Sequence, residues 1–421
     1  MSPQATAEFV IPVTVTVGKP GVEYFVHFSV VTRQAEPLIP VGHEIAQEQF
    51  RLPLETEKDS YEASGKALEW KAENGKVVVS SSNVYFELDK ATGMVTSYKV
   101  NGTEFFDKAF GVQPNFWRAP NDNDYGNSNP KRLQIWKESS RDFKVSDTAV
   151  REEGETVLMS VTYDLPAGNQ YLITYRIYRD GVVNVNVKFT QTDREAEKTE
   201  VLEDTNLATF TPGKKVKKKD VLEVPRIGVR FRIPHVMNRV EYFGRGPVEN
   251  YVDRNAGSMV GRYKTSAEEM YVNYVRPQEN GHRTDTRWVS FTNTAGRGLL
   301  VLAEKTVGFN ALRNTVEDFD SEESSHPYQW RNRSPKEVAG KNEAEAKSVL
   351  RRMTHVNDIV PRDFVEVCID MKQQGVAGYD SWGAKVQPGY TIPANRDYVW
   401  GFTLIPVKNV GDVNKSLRYT Y

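Results

Sequence analysis

Apolar and polar positions alternate along most of the chain, the period-2 pattern of half-buried β-strands. In EYFVHFSVVT (23–32) the alternation puts Tyr24, Val26, Phe28 and Val30 on one face. NVYFELDKATGMVTSYKVNG (83–102) reads as two strands around DKATG, a hairpin signal with glycine in the turn. TVLMSVTYDL (156–165), QYLITYRIYRDGVVNVNVKFTQT (170–192), RWVSFTN (287–293) and YVWGFTLIPV (398–407) repeat the theme between Pro, Gly and Asn clusters. Two segments read as helices. PKEVAGKNEAEAKSVLRRM (335–353) is rich in Ala, Glu and Lys and keeps Val338, Val349, Leu350 and Met353 for burial. SAEEMY (266–271) offers Ser266 as an N-cap, with Glu269 three residues on. The pattern predicts an all-β chain of the sandwich type.

Residues 1–58 stand apart, because they hold about three strands and lead into the polar run ETEKDSYEASGKA (55–67). So few strands bury little and leave edges open, and an Ig-like sandwich needs about seven. The chain is therefore expected to begin inside such a domain. Residues 59–421 are long for one sandwich, which predicts large sheets of about ten strands each.

Composition removes several function classes. Lys and Arg total 55 against 56 Asp and Glu, a net charge of −1, so no global field draws nucleic acid or an anionic membrane. Hydrophobic residues make up 39%, enough for a large core. The single cysteine, Cys368, allows no internal disulfide or thiolate zinc cluster, and in FVEVCIDM it reads as a buried, inert thiol. No apolar stretch approaches a membrane span of about 18 residues. MSPQATAEFV has neither the basic nor the apolar region of a signal peptide, which leaves the compartment open.

The local motifs are mostly weak. In FWRAPNDND (116–124), Asp122 and Asp124 hint at a calcium loop, but the EF-hand spacing fails. A turn whose carboxylates take backbone N–H bonds and pair with Arg118 fits as well. YFGRGPVENY (242–251) contains G-x-G, yet Pro247 stands where a dinucleotide-binding helix would start. GKKVKKKD (213–220) is short and fits a solvated hairpin tip better than a nucleic-acid patch. The six histidines form no ligand pair by spacing. What recurs is Trp, Tyr, Arg, Asn, Asp and Glu clustered in four loop-like segments: FWRAPNDND, YFGRGPVENY, RPQENGHRTDTRW (276–288) and GYDSWGAKVQPGY (378–390). Aromatic faces stack on sugar C–H faces, and planar polar groups match pairs of hydroxyls, so these loops fit a carbohydrate surface. They also fit, and fit better, polar networks that bond one another and fix the loops.

FWRAPNDNDYG, YFGRGPVENYVDR, RPQENGHRTDTRWV and DSWGA, in that order, resemble the C-terminal part of the β-galactosidases of glycoside hydrolase family 2. VGHEIAQEQFRLP (41–53) is similar to the end of that family's second Ig-like domain. The resemblance covers nearly the whole chain. It implies a partial Ig-like sandwich over 1–58 and, over 59–421, a large antiparallel super-sandwich related to galactose mutarotase.

The family's catalytic carboxylates and its Mg2+ and Na+ sites lie on a (β/α)8 barrel, and nothing here has that alternation. The resemblance thus implies no catalytic residue, metal or cofactor in this chain, and no hydrolysis by it alone. It implies a scaffold for the active-site mouth and for a homo-oligomer, partnered by the enzyme's other domains and by a β-galactoside or galactose. Trp117, Arg118, Asp122, Asp124, Arg245, Glu249, Glu279, Asp380 and Trp382 are the candidate carbohydrate contacts. Some relatives lend an aromatic side chain to the aglycone side of the site, and the aligned position here is Glu366. The run Ala377, Gly378, Tyr379 before Asp380, Ser381 and Trp382 also departs from the family's Gly-Gly-Asp. The alternative is a stand-alone carbohydrate-binding or mutarotase-like module. Its acid and base would be His282 with Glu279, or His235 with Glu249.

Overall fold

The computed structural model describes residues 4–12, 14, 17–54, 56–191, 223–320, 355–380, 383–409 and 411–421. The helix expected over 335–353, the basic run 213–220 and Trp382 lie outside them. The chain divides into two compact units, Met1–Glu62 with Gly411–Tyr421, and Ala63–Val410.

In the first unit, β1 (Tyr24–Val31) pairs antiparallel with β2 (Glu44–Leu52). The short β3 (Asp59–Ser60) pairs in parallel with the C-terminal strand (Tyr419–Thr420). Tyr61 packs its ring against Tyr419 and Tyr421, so the chain's last residues belong to this unit.

The second unit has a five-stranded and a twelve-stranded sheet, unequal where the strand pattern suggested similar ones. β4 (Glu69–Glu73), β5 (Lys76–Ser80), β6 (Val84–Asp89), β7 (Val95–Val100) and β8 (Thr103–Glu104) form the smaller as an antiparallel meander. The larger begins with β9 (Gln113–Asn115), β10 (Lys144–Glu153), β11 (Thr156–Asp164), β12 (Asn169–Ile177) and β13 (Val183–Gln191). It continues with β14 (Arg226–Pro234), β15 (Arg239–Gly246), β16 (Met259–Ser266) and β17 (Arg283–Thr292). β18 (Gly298–Leu312), β19 (Phe364–Gln373) and β20 (Tyr398–Val407) complete it. Every pairing in both sheets is antiparallel. Alternation explains the core: in β12, Tyr171, Ile173, Tyr175 and Ile177 point inward and are fully buried.

β18 places the site. Its first half, Gly298–Ala303, pairs with β20, and its second half, Gly308–Leu312, pairs with β19. The exposed Glu304–Thr306 lie between the two halves. The second half, β19, β14 and β9 thus form a branch of the sheet. One face of the branch carries Ile227, Val229, Phe231, Val365, Val367, Ile369, Phe309 and Ala311 into the core.

SAEEMY does not form the expected helix. Glu269 N–H does donate to Ser266 Oγ at 3.2 Å, as the cap requires, but only a turn follows. Ala267 and Met270 are fully buried there, and core packing overrides the local signal. Helical turns occur instead after FWRAP: α1 (Asp122–Gly126), α2 (Asn129–Arg132) and α3 (Gln134–Ser139).

Candidate functional site

The second face of the branch is polar, yet buried. In β14 it presents Arg226, Gly228 and Arg230, in β19 Glu366, Cys368 and Asp370, and in β18 Gly308 and Asn310. Cross-strand register sets Arg232 opposite Glu366, Arg230 opposite Cys368, and Gly228 opposite Asp370. Directly opposed side chains share a face, so opposite charges meet here by construction. Arg232 Nε donates to Glu366 at 2.9 Å, and Arg230 pairs with Glu317 at 2.8 Å.

Arg226 is the hub. Its Nη2 donates to Glu279 Oε1 at 2.8 Å, its Nη1 to the Trp117 carbonyl at 3.2 Å, and its Nε lies 3.2 Å from Asp370 Oδ2. Glu279 Oε1 also accepts from Asn310 at 2.8 Å and from Gln373 at 3.0 Å. Burial opposes ionisation of Glu279, but Arg226 and these amides hold it below the usual carboxylate range. Asp370 has less help: among the described residues neither oxygen receives a hydrogen bond, and burial pushes it up to about 7. His282 Nδ1 lies 3.2 Å from Asn310 Oδ1 and 3.8 Å from Asp370. Burial and the nearby Arg226 charge bring that imidazole down to about 4, so it is neutral near pH 7.

Loops roof this face. In the first, Asn121 and Asp124 make a capping box at the start of α1, which turns Asp124 inward onto Arg118 at 2.9 Å. Arg118 also donates to the carbonyls of Gln374 (2.7 Å) and Gly375 (2.9 Å), and Asn123 to that of Val376 (2.9 Å). Asp253 accepts the N–H groups of Val376 (3.0 Å) and Ala377 (2.9 Å), holding the segment from its other side. Glu279 N–H donates to the Ala119 carbonyl at 3.2 Å, and Gly281 N–H to Glu249 Oε2 at 2.8 Å. Glu249 takes further bonds from Arg254 and Tyr274. Three of the four loop segments thus converge around Arg118, Glu249 and Glu279, although they lie far apart in sequence. Beside the hub lies a cavity of about 20 Å³, lined by polar Arg226, Glu279, Asn280, Asn310, Asn314 and Glu366 together with Leu312, Val316, Phe319 and Cys368. That volume has room for about one water molecule.

The remaining candidates lie around this core. Trp117 is buried and donates its indole N–H to Asp320 at 2.7 Å, beside Lys137. Arg245 belongs to a separate cluster, with Asp285 at 2.5 Å and the Ser258 carbonyl at 2.8 Å. Asp122 is exposed and meets Arg276 at 3.2 Å. Asp380 is exposed and accepts from Ala384 N–H at 3.1 Å. Of the two acid–base pairs, His282 and Glu279 share a cluster through Asn310. His235 and Glu249 do not meet, because His235 faces Glu268 at 3.1 Å. Glu366, at the position of the aglycone aromatic, is buried among Arg230, Arg232 and the Val316 N–H.

Arg226, Asp370, Asn310 and Asp253 were not singled out by the sequence. A signal existed for two of them. RIGVRFRIP and FVEVCIDM are strongly apolar strands with charges at every second or fourth position, which marks a face too apolar in context to be merely wet.

A family model described as beta galactosidase small chain matches residues 80–404, more than half the chain. The chain belongs to that family. A second model, beta-galactosidase domain 4, matches residues 1–53. A β-galactosidase of Priestia megaterium is 33% identical over 368 residues, covering 87% of this chain and 30% of its own length. One of Streptococcus thermophilus is 27% identical over 403 residues, covering 95% of this chain and 33% of its own length. This small-chain member therefore spans about a third of the curated relatives it matches. Among solved structures, galactose 1-epimerase from Lactobacillus acidophilus NCFM aligns with TM-score 0.39 and 6% identity, over 82% of this chain and 99% of that one. Among the described residues, no group of three or more His, Cys, Asp or Glu side chains is placed to hold a metal ion.

Proposed function

We propose that this chain is the portion of a β-galactosidase outside the catalytic barrel, and that it scaffolds the mouth of an active site that hydrolyses terminal β-D-galactosides. One observation carries the proposal: buried charged groups of the signature loops are paired with protein partners, Glu279 with Arg226, Arg118 with Asp124 and Glu249 with Arg254, and the cavity beside Glu279 measures only about 20 Å³. Arg226 with Glu279 and Arg118 with Asp124 are buried pairs that fix loops. Retaining hydrolysis needs two carboxyl groups about 5–5.5 Å apart with a glycosidic bond between them. A space the size of one water does not admit a glycoside. In this proposal the barrel, with its carboxylates, Mg2+ and Na+, comes from the rest of the enzyme, and homo-oligomer contacts involve the whole assembly.

Hydrolysis of a chromogenic β-galactoside tests it. The chain alone is expected to stay at background, and a mixture with a polypeptide carrying the other domains is expected to turn over substrate. Turnover by the chain alone, with contamination excluded, would overturn the proposal. Saturable binding of galactose to the chain, followed by Trp117-dependent fluorescence, would favour a carbohydrate-binding module instead.

A further inference from the structure

At the end of β19 a lysine is turned toward the core side of the branch. Alternation along the strand sends Val365, Val367 and Ile369 to the core, and Asp370, opposite Gly228, to the polar face. The register then shifts: Gly228 pairs with Asp370, but Ile227 pairs with Lys372, which leaves Met371 as the extra residue of a β-bulge. A bulge re-aims the side chains beside it. Lys372 therefore shares the side of the fully buried Ile227, and is itself half-buried. Its Nζ donates to the Thr391 carbonyl at 3.4 Å. Two residues on, the Pro393 carbonyl accepts from the Tyr398 hydroxyl at 2.8 Å, and that hydroxyl accepts from Arg396 Nε at 2.9 Å. One short stretch of backbone, 391–393, thus anchors an ammonium and a guanidinium. The stretch is itself fixed: Val224 N–H donates to the Ile392 carbonyl at 2.8 Å, and Gly375 N–H to the Tyr390 carbonyl at 3.0 Å.

Among the described residues, neither Lys372 nor Arg396 makes an ion pair. The carboxylates of the adjoining segments are engaged elsewhere: Asp397 accepts Gln191 N–H at 3.0 Å, and Glu223 pairs with Arg132 at 3.2 Å. Burial, and then the charge of Arg396, hold the Lys372 ammonium below the ordinary lysine value, and no carboxylate offsets them. An ammonium has three donors and a guanidinium five, so both groups keep N–H bonds that the described residues leave unused. Fixed donors in a local positive potential are what an oxyanion requires. We propose that Lys372 and Arg396 form a binding site for a doubly charged oxyanion, phosphate or a phosphate monoester. A single carboxylate brings one charge to two cations, so the dianion is the better match. The ring of Tyr390 is exposed on the same segment, where it can cover the organic part of an ester.

The test is a calorimetric titration of the whole chain with inorganic phosphate, at constant ionic strength set by sodium chloride. Wild type is compared with Lys372→Met, Arg396→Ala and Lys264→Met, the last of which removes the same charge from an exposed position on the edge strand β16. Saturable one-site binding is expected, unchanged in Lys264→Met and at least about tenfold weaker in Lys372→Met and in Arg396→Ala. Arg396 is exposed, so its variant is expected to keep the wild-type circular dichroism spectrum, and it decides the matter if Lys372→Met fails to fold. Two further arms, sulfate and a hexose phosphate, separate the sources of the anion. Equal binding of all three would support the site as one for a free oxyanion. Tighter binding of the hexose phosphate, lost in Tyr390→Ala, would support it as one for an ester. No saturation of the wild type up to about 50 mM phosphate, or equal binding by all four proteins, would overturn the site. Either result would leave the function proposed above standing, because neither Lys372 nor Arg396 takes part in it.

Discussion

Gly228 and Asp370 face each other across the β14–β19 ladder, so closely that a Cβ at 228 would lie 2.1 Å from Asp370 Oδ1. It would also lie 2.7 Å from the Ile369 carbonyl oxygen, which is backbone and cannot swing away. On the other side of Asp370 stands Gly308, where a Cβ would meet the His282 ring at 2.6 Å. Two glycines therefore open the slot in which a buried carboxylate and an imidazole sit over a sheet. Gly228→Ala is expected to destabilise the second unit by about 1–3 kcal/mol, the usual cost of overpacking. Gly257→Ala, where an added Cβ meets nothing within 4 Å, is the control and is expected to be near neutral. Urea unfolding of both variants decides it, and equal midpoints would show that the slot has slack.

Arg226 is the counter-charge for buried Glu279, and its Nε also lies 3.2 Å from the buried carboxyl of Asp370. Removing one partner of a buried pair leaves an uncompensated charge, at a cost of about 3–5 kcal/mol. Arg226→Met is expected to fall in that range by urea unfolding. The triple variant Arg226→Met, Glu279→Gln, Asp370→Asn is expected to recover most of the loss, because no charge is then stranded. If the triple variant were as unstable as the sum of its parts, the hub would act through packing and not through charge.

Asp370 and His282 couple stability to pH in opposite senses. The folded value of Asp370, about 7, lies above its ordinary 3.8, so the folded chain holds a proton that the unfolded chain releases. That contribution is complete below the unfolded value and is lost as pH rises through about 7. His282 is lowered to about 4 from 6.5, so its contribution is complete above 6.5 and is lost as pH falls toward 4. Asp370→Asn removes the first effect and keeps the second. The stability of the wild type minus that of Asp370→Asn is therefore expected to shrink as pH is raised from about 4 to about 7, then to level off. Unfolding free energies measured at several pH values check this. A difference that grows with pH would mean that Arg226 holds Asp370 ionised.

Much of the strand content was legible because period-2 alternation is a direct consequence of one buried face. The run QYLITYRI became β12 with strict in–out burial. Cys368, read as a buried thiol in an apolar run, is buried, and desolvation raises its pKa well above the ordinary value. The polar face of the branch was not legible for the same reason: alternation assigns the charged side of a strand to solvent. Here loops roof that side, so Arg226, Glu366 and Asp370 are as buried as the valines between them. Which loops do the roofing depends on pairings such as Arg118 with the Gln374 carbonyl, 256 residues apart, and no local pattern encodes them. SAEEMY failed in the opposite direction, a sound local cap signal overruled by the burial of Ala267 and Met270.

The two aspartates of FWRAPNDND have opposite roles, two residues apart. α1 begins at Asp122, so the helical turn carries Asp122 outward and Asp124, at its third position, inward. Asp124 accepts two bonds from Arg118 at 2.9 and 3.1 Å, one from Asn129 at 2.8 Å and one from the Asn121 N–H at 3.1 Å. Its side chain is 3% exposed and that of Arg118 is 2% exposed, so the pair has no access to water if broken. Asp122 is 73% exposed and shares Arg276 with the ring of Tyr125. Asp124→Ala is expected to cost about 3–5 kcal/mol, because it strands a buried guanidinium and removes a cap. Asp122→Ala is expected to cost no more than about 1 kcal/mol, as exposed pairs do. Asp124→Asn should fall between them, keeping the side-chain oxygen for the cap but not the charge for Arg118. Parallel thermal and urea unfolding of the three variants orders them. Equal losses at 122 and 124 would show that the loop is held by its backbone and aromatic contacts, and that the Arg118–Asp124 pair is incidental.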